Sequence, residues 1–218
     1  MKVLVEVWSD ITCPWCYIGK RRLESALAQF DGRDDVTVEW KSYQLDPSAP
    51  LGQTGTIYEN LSRKFGRSID EVKQMNRQVT EIAAAEGLVY DFDNYKPINT
   101  FDAHRVLHLA KSLGIADAVK ERFLKAQFTE GERLEDHETL ARMAAEAGVP
   151  SADTMRVLAG DDYADDVRND VRDLQALGGG GVPFYVVDRR YGISGAQPVE
   201  VFLRTLEAAR ADALAAAK

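Results

Sequence analysis

Val3, Val5 and Val7 alternate with Lys2, Leu4, Glu6 and Trp8, the period-two pattern of a largely buried first strand that ends at Ser9-Asp10. Pro14 fits the first position of a helix, where a missing N–H costs nothing. Leu23, Ala26, Leu27 and Phe30 continue that helix at 3.6 periodicity, and Gly32 is expected to close it. Val36, Val38 and Trp40 form a second strand, after which Asp46-Pro47-Ser48-Ala49-Pro50 breaks the pattern. From there the reading is almost entirely helical, with helices predicted over 57–65, 69–86, 100–113, 116–129, 137–147, 151–159 and 162–177. Ser68 before Ile69-Asp70-Glu71 and Ser151 before Ala152-Asp153 read as helix starts; Gly87, Gly114 and Gly148 read as stops. In the fourth of these blocks Val119, Phe123 and Phe128 form one apolar side. Strand character returns at Phe184-Tyr185-Val186-Val187, after Gly178 to Gly181. Asp188-Arg189-Arg190 turns the chain and Tyr191-Gly192-Ile193 pairs back as a hairpin. Pro198 opens a last helix with Val199, Phe202, Leu203 and Leu206 on its buried side, and the Ala-rich end at 215–217 is expected to fray.

The order is therefore β-α-β, a long helical block, then β-β-α. One crossover helix between two strands implies a parallel pair, and the late hairpin adds antiparallel strands. Neither end has enough strands alone, so the two must share one sheet. The expectation is an α/β fold with a discontinuous domain, 1–48 and 176–218, interrupted by a large all-helical insertion domain at 49–175. No internal repeat is visible.

The 218 residues suit one αβ domain with a sizeable insertion. A hydrophobic content of 45% with 28% charged residues allows a core of ordinary size without staples. The net charge of −8, with no dense Lys/Arg run, argues against nucleic acid or anionic membrane as the main partner. Glu6 and Asp10 interrupt the first apolar stretch too early for a signal peptide, and no stretch approaches a membrane span. These features lead us to expect a cytoplasmic protein.

The two cysteines, Cys13 and Cys16, stand together as Cys13-Pro14-Trp15-Cys16. Thiol–disulfide exchange needs an ionised, exposed thiol and a second thiol near enough to resolve the mixed disulfide. If Pro14 is the first helical residue, Cys13 is the N-cap, and its sulfur can face the free N–H groups of Trp15 and Cys16. Those donors and the positive helix end are expected to lower the pKa of Cys13, while Asp10 pushes the other way. Cys16, one turn deeper and partly covered, then resolves. Trp15 offers an apolar platform to a substrate chain. With no positive charge between the cysteines, a moderate reduction potential is expected. A zinc site would need two further ligands, and only His104, His108 and His137 could supply them beside this pair, so no metal is expected.

Ser9-Asp10-Ile11-Thr12-Cys13-Pro14-Trp15-Cys16, Asn99-Thr100 with Ala103-His104-Arg105, Phe128-Thr129-Glu130-Gly131, Gly181-Val182-Pro183-Phe184 and Ser194-Gly195-Ala196-Gln197 span nearly the whole chain. Together they resemble the DsbA-like thioredoxin superfamily, within it the FrnE-like branch of cytoplasmic oxidoreductases. The resemblance implies a thioredoxin-like fold with the helical insertion and a thiol–disulfide oxidoreductase that acts on protein or peptide thiols and disulfides. It implies no bound cofactor, with glutathione or another thiol as redox partner, and leaves monomer and homodimer open. It further implies that the Val182-Pro183 bond is cis and lies against the cysteines. There Val182 would offer its backbone to an extended substrate as an added strand would. Asn99 and His104 are implied to line the cleft opposite the cysteines. Relatives with this fold include glutathione-dependent isomerases and kappa-class glutathione transferases, in which a serine typically stands where this chain has Cys13. Such an isomerase or transferase acting on a small aromatic or electrophilic substrate is the alternative, and a chaperone-like binder is the third reading.

Other residues carry weaker signals. His104 and His108, four apart on a helix, could face one metal but lack a third ligand in the pattern. Lys20, one turn beyond Cys16, is expected on a solvated helix face, although it could tune the thiols. Gly178 to Gly181 lack the Lys-Ser/Thr of a phosphate loop and are read as a flexible close approach to the proline strand. Asp161, Asp162, Asp165, Asp166 and Asp170 are read as a solvated acidic face.

Overall fold

The valine alternation becomes β1 (Val3–Ser9), the second strand in a four-stranded sheet of order β2-β1-β3-β4 in the computed structural model, which describes residues 2–216. β2 (Val36–Ser42) runs parallel to β1 with Val3 opposite Val36 and Ser9 opposite Ser42. β3 (Phe184–Val187) is antiparallel on the other side, and β4 (Tyr191–Ser194) completes the hairpin. Both central residues of its turn, Asp188 and Arg189, have positive φ, and Arg190 N–H donates to Val187 O at 3.0 Å. Positive φ at both places gives a turn whose twist matches that of the strands, within a loop of three residues between the paired Val187 and Tyr191. The strands from the two ends of the chain thus share one sheet.

Each face of the sheet has its own cover. Val3, Val5 and Val7 pack with Tyr185 and Val187 against Leu23 and Ala26 of α1 (Pro14–Gln29), Phe30 just after it, and Phe202 and Leu206 of α9 (Val199–Ala216). Fully burying a valine, leucine or phenylalanine side chain is worth about 1.5–3 kcal/mol. The opposite face carries Trp8, which packs with Leu174 of α8 (Ala164–Ala176) and donates Nε1–H to Asp170 O at 2.7 Å. α8 closes the helical block in sequence but lies on the sheet in space.

Between β2 and β3 run α2 (Ile57–Phe65), α3 (Ile69–Ala85), α4 (Phe101–Ser112), α5 (Ala116–Lys125), α6 (His137–Glu146), α7 (Ser151–Ala159) and α8. Capping boxes at Thr56/Glu59 and Ser68/Glu71 start α2 and α3. A core of Val106, Leu109, Phe123, Leu140, Met143 and Val157 unites α4 to α7, and Ile11 from the cysteine loop enters it. The helical block is therefore keyed to the active-site loop by a side chain.

Several element ends differ from expectation. α1 stops at Gln29 with Phe30 as cap, because the Phe30 amide bonds back to Leu27; Gly32 instead precedes a 3-10 turn at Arg33–Asp35. The block expected over 116–129 divides into α5 and a π-helical turn, Ala126–Glu130, capped by Gly131 at φ 65°. Ser151 is the first residue of α7 and Pro150 its cap. Of the end expected to fray, 215 and 216 lie in α9 and 217 lies outside the described residues.

Asp170 corrects the acidic-face reading. Asp161, Asp162, Asp165 and Asp166 are exposed, but Asp170 is buried. Its carboxylate accepts from Ser42 N–H at 2.8 Å and lies 3.0 Å from His108 Nε2 and 3.4 Å from Lys41 Nζ, which fastens α8 to β2. Burial raises the pKa of this carboxyl, but the His108 and Ser42 hydrogen bonds and the His108 and Lys41 charges outweigh it and hold it below the ordinary value. A depressed carboxylate stabilises the fold above its unfolded pKa, about 3.9, and that contribution disappears as pH falls through the folded value. Asp170→Asn should therefore be less stable than the parent at neutral pH, with the difference closing below about pH 4. Urea midpoints measured across that range check this; a constant difference at every pH would contradict it.

Candidate active site

α1 begins where the sequence places it, with Cys13 as N-cap and Pro14 at the first turn. The Cys16 N–H bonds to the Cys13 carbonyl at 3.0 Å, and the Cys13 side chain makes no capping hydrogen bond. Of the two expected donors, the Cys16 N–H favours charge on the Cys13 sulfur without making a full capping hydrogen bond. Both cysteines are free thiols, with exposures of 3% for Cys13 and 1% for Cys16, so Cys13 is less open than expected. Trp15 between them is 38% exposed and does present its indole outward.

The Val182–Pro183 peptide bond is cis, as the resemblance implies, and the Cys13 thiol donates to Val182 O at 3.6 Å. Pro183 is buried and Val182 half-buried. Gly19 permits this approach. A Cβ there would stand 2.2 Å from the Tyr185 hydroxyl and 3.1 Å from Pro183 Cγ. The glycine run before the loop ends α8: Gly178 has φ 80°, and a Cβ on Gly179 would stand 2.3 Å from Leu174 Cδ1. Gly180 and Gly181 meet nothing, so the close approach falls on α8 and not on the proline strand.

Asp10 fixes the loop before the helix. Oδ1 accepts from Ile11 N–H at 2.7 Å, and Oδ2 accepts from Leu45 N–H at 2.8 Å and from the Thr12 hydroxyl at 3.1 Å. His104 Nε2 completes the set at 3.1 Å from Oδ1. Burial raises the Asp10 pKa, but the His104 hydrogen bond and charge, the Leu45 amide and Lys120 outweigh it, so the carboxyl is held low. Burial pushes His104 down, and its fully buried ring lies beneath the cysteine loop instead of lining an open cleft. His108 is directed to Ser42 and Asp170, so the two histidines do not share a site. Asn99, one residue before the Thr100 cap of α4, accepts from Phe101 N–H at 2.9 Å and donates to Ala49 O at 2.7 Å. It pins the 44–49 loop to the helical block.

Lys20 corrects another expectation. It is buried, and its ammonium is enclosed by Glu24, Asp117 at 3.3 Å and Glu121 at 3.1 Å, a cluster joining α1 to α5. Its charge is spent on those carboxylates, away from the thiols.

The dithiol behaves as one unit. The hydrogen bond to Cys16, burial, the Cys16 charge and Asp10 push the Cys13 thiol well up, against the Cys16 backbone N–H, which pulls it down. Burial opposes ionisation of Cys16, but the Cys13 hydrogen bond, the Lys120 charge, the Ser9 hydroxyl and the Asp10 backbone hold its pKa below the ordinary thiol value. In the closed dithiol the expected lowering of Cys13 is therefore absent: the two thiols form one hydrogen-bonded pair, and burial opposes charge on both.

Four residues near the thiols escaped the sequence reading. Tyr90 donates its hydroxyl to Pro14 O at 2.7 Å and Tyr95 to Thr12 O at 3.4 Å, so the 88–98 segment straps the start of α1. Ser9 and Lys120 lie beneath. For Lys120 a signal existed: it falls between Val119 and Phe123 on the apolar stripe of α5, where a lysine faces inward.

Two thiols at a helix start beside a cis-proline, on this sheet, define a thioredoxin-fold thiol–disulfide oxidoreductase. Residues 4–207 match the DSBA-like thioredoxin domain. A probable DsbA oxidoreductase from Streptomyces coelicolor is 42% identical, with a TM-score of 0.92 over 96% of this chain and 90% of that one. An uncharacterized Bacillus subtilis protein, YwbO, is 28% identical over 166 residues, 76% of each chain. The cytosolic disulfide reductase DsbM from Pseudomonas aeruginosa, solved with GSH, shares the fold at 18% identity and a TM-score of 0.64, over 94% of this chain and 98% of that one. The chain belongs to the DsbA-like thioredoxin family.

Gly19→Ala should force Tyr185 or Pro183 away from α1. We expect a loss of about 1–3 kcal/mol from overpacking, together with slower disulfide exchange. Thermal melts and turnover of the variant check this; an unchanged melting temperature would mean that the loop does not rest on Gly19.

Proposed function

We propose that Cys13 attacks a disulfide of a protein or peptide, forms a mixed disulfide with it, and is released when Cys16 closes the Cys13–Cys16 bond. The reverse sequence delivers a disulfide to a dithiol. The observation that carries this reading is the Cys13 thiol at 3.6 Å from the Val182 carbonyl, at the loop where an extended chain would pair. The exposed Trp15 supplies apolar surface beside it, and Leu45, whose amide is held by Asp10, is also exposed. An unfolded or extended segment with apolar side chains flanking its cysteine fits such a rim.

Electrons come from a small thiol of the glutathione class in a cytosolic setting. Support comes from the shared fold of the Pseudomonas reductase solved with GSH, and from the absence of any helix, among the described residues, long and apolar enough to cross a membrane. A glutathione-dependent isomerase would leave Cys16 without a task. The closeness of the two thiols therefore weighs against that alternative.

Cys13→Ser should abolish exchange, and Cys16→Ser should accumulate a covalent adduct that dithiothreitol releases. Mass spectrometry after incubation with a disulfide-containing peptide reads both. Full turnover by Cys16→Ser, with no trapped adduct, would instead support the isomerase.

A further inference from the structure

Three consecutive carbonyls around the attacking cysteine are each held by a donor. Thr12 O accepts from the Tyr95 hydroxyl at 3.4 Å, Cys13 O from the Cys16 N–H at 3.0 Å, and Pro14 O from the Tyr90 hydroxyl at 2.7 Å. Two of these donors come from one strap, residues 88–98, which has no helix or strand of its own. The strap is tied instead to the π-helical turn Ala126–Glu130. Thr129 Oγ1–H donates to Val89 O at 2.6 Å, Asp91 N–H to Phe128 O at 2.7 Å, and Gln127 Nε2–H to Lys96 O at 2.7 Å. Gly131, which caps the turn, lies so near that a Cβ there would stand 2.5 Å from Asn94 O. The Tyr90 ring stacks on Phe128 with centroids 4.7 Å apart. The segment Phe128-Thr129-Glu130-Gly131 thus anchors both tyrosines from behind. Such π turns are rare and are frequent beside functional sites.

On the reading above, that Cys13 is the attacking thiol, we infer that Tyr90 is a positioning residue for the exchange, acting on the Cys13 thiolate through the Pro14–Trp15 peptide group. The carbonyl that Tyr90 holds and the Trp15 N–H belong to the same peptide. Trp15 is the second residue of α1, so its N–H has no acceptor within the helix. A donor on the carbonyl polarises the peptide and strengthens its N–H in turn, by about 10–30%. The resting Cys13 thiol donates to Val182 O and has no need of that N–H. A thiolate has lost its proton and can only accept, and the N-cap position offers it the N–H groups of Trp15 and Cys16. Tyr90 thereby favours the form that attacks a substrate disulfide. Tyr95 does different work. It holds the Thr12–Cys13 peptide, whose N–H is directed to Asp10 O at 3.4 Å and is not lent to the sulfur. It fixes the backbone of Cys13 and leaves its charge alone.

Burial and the charges of Cys13, Cys16 and Tyr17 push the Tyr90 phenol up, so its hydroxyl keeps its proton while the thiol titrates. Besides Tyr90 and Tyr95 of the strap, the titratable groups facing Cys13 are Cys16 of α1, Asp10 after β1, Lys120 of α5 and Tyr185 of β3. Replacing Tyr90 by phenylalanine alters none of these charges.

The test uses the full chain with Cys16→Ala, which leaves one thiol and removes the pairing that opposes charge on Cys13. The rate of Cys13 alkylation by iodoacetamide is followed across the thiol range, about pH 5–10. Tyr90→Phe keeps the ring stack and the helical donor to Pro14 O, and should move the midpoint up by about 0.3–0.5 unit. Reaction near pH 7 should slow about twofold, while the rate at high pH does not fall below that with Tyr90 intact, because a more basic thiolate is the better nucleophile. Tyr95→Phe should leave the midpoint in place. No shift with Tyr90→Phe would overturn the proposal. An equal or larger shift with Tyr95→Phe would also overturn it, since loosening of the strap would then be the cause. A measurement with both tyrosines intact guards against misfolding of either variant: the Trp15 amide proton resonance should move downfield as Cys13 ionises. A resonance that stays in place would overturn the proposal. The dithiol reading is checked separately on the unsubstituted protein, which should release a coloured thiolate from a chromogenic aromatic disulfide. No release would remove that reading and the role of Tyr90 with it, whereas release without a Tyr90→Phe shift removes the role of Tyr90 alone.

Discussion

The Asp10 carboxylate gathers Ile11 and Thr12 from its own loop, Leu45 from the segment after β2 and His104 from α4. It thereby fixes the sheet, the cysteine loop and the helical block to one another within a single set of hydrogen bonds. A buried carboxylate in this position must keep all its donors, because each unmet lone pair would cost about 1–3 kcal/mol. The start of α1, the place of Cys13 and the docking of α4 are consequences of satisfying it. This explains why the loop can hold two thiols in a dry environment without collapsing onto them.

Dryness sets the electrostatics of the site. In water, a helix N-terminus and two thiols would share charge in favour of the exposed sulfur. Here both sulfurs are covered, and the nearest uncompensated cation, Lys120, comes from α5 beneath them. Burial therefore opposes charge on both sulfurs, and the Lys120 charge offsets part of that cost at Cys16. The helical block contributes to the chemistry in this way, as well as covering the sheet.

Close packing divides the molecule's tolerance for change. The glycine at 19 exists for Tyr185 and Pro183, and the glycine at 179 for Leu174, since a methyl group at either place would overlap a side chain. By contrast, Gly180 and Gly181 meet nothing. The run of four glycines that looks uniform in the chain thus contains Gly178, set by its φ of 80°, Gly179, fixed by packing, and two free residues.

The β-α-β start, the late hairpin and the helical stretch between them were legible from periodicity alone, because alternation and 3.6 spacing are local signals. The Cys13–Cys16 pair at a helix start was legible for the same reason: Pro14 and the strand before it are neighbours in the chain. What the chain could not show was which charged residues are buried. Lys20, Asp170 and Lys120 read as surface groups or passed unnoticed, yet each is enclosed by partners far away in sequence: Lys20 by Asp117 and Glu121, Asp170 by Ser42 and His108, Lys120 by Ser9 and the thiols. The electrostatic surroundings of the two thiols also belonged to the tertiary structure. A pKa is set by desolvation and by charges within a few ångströms, and those neighbours are chosen by how the helices pack on the sheet and not by their order along the chain.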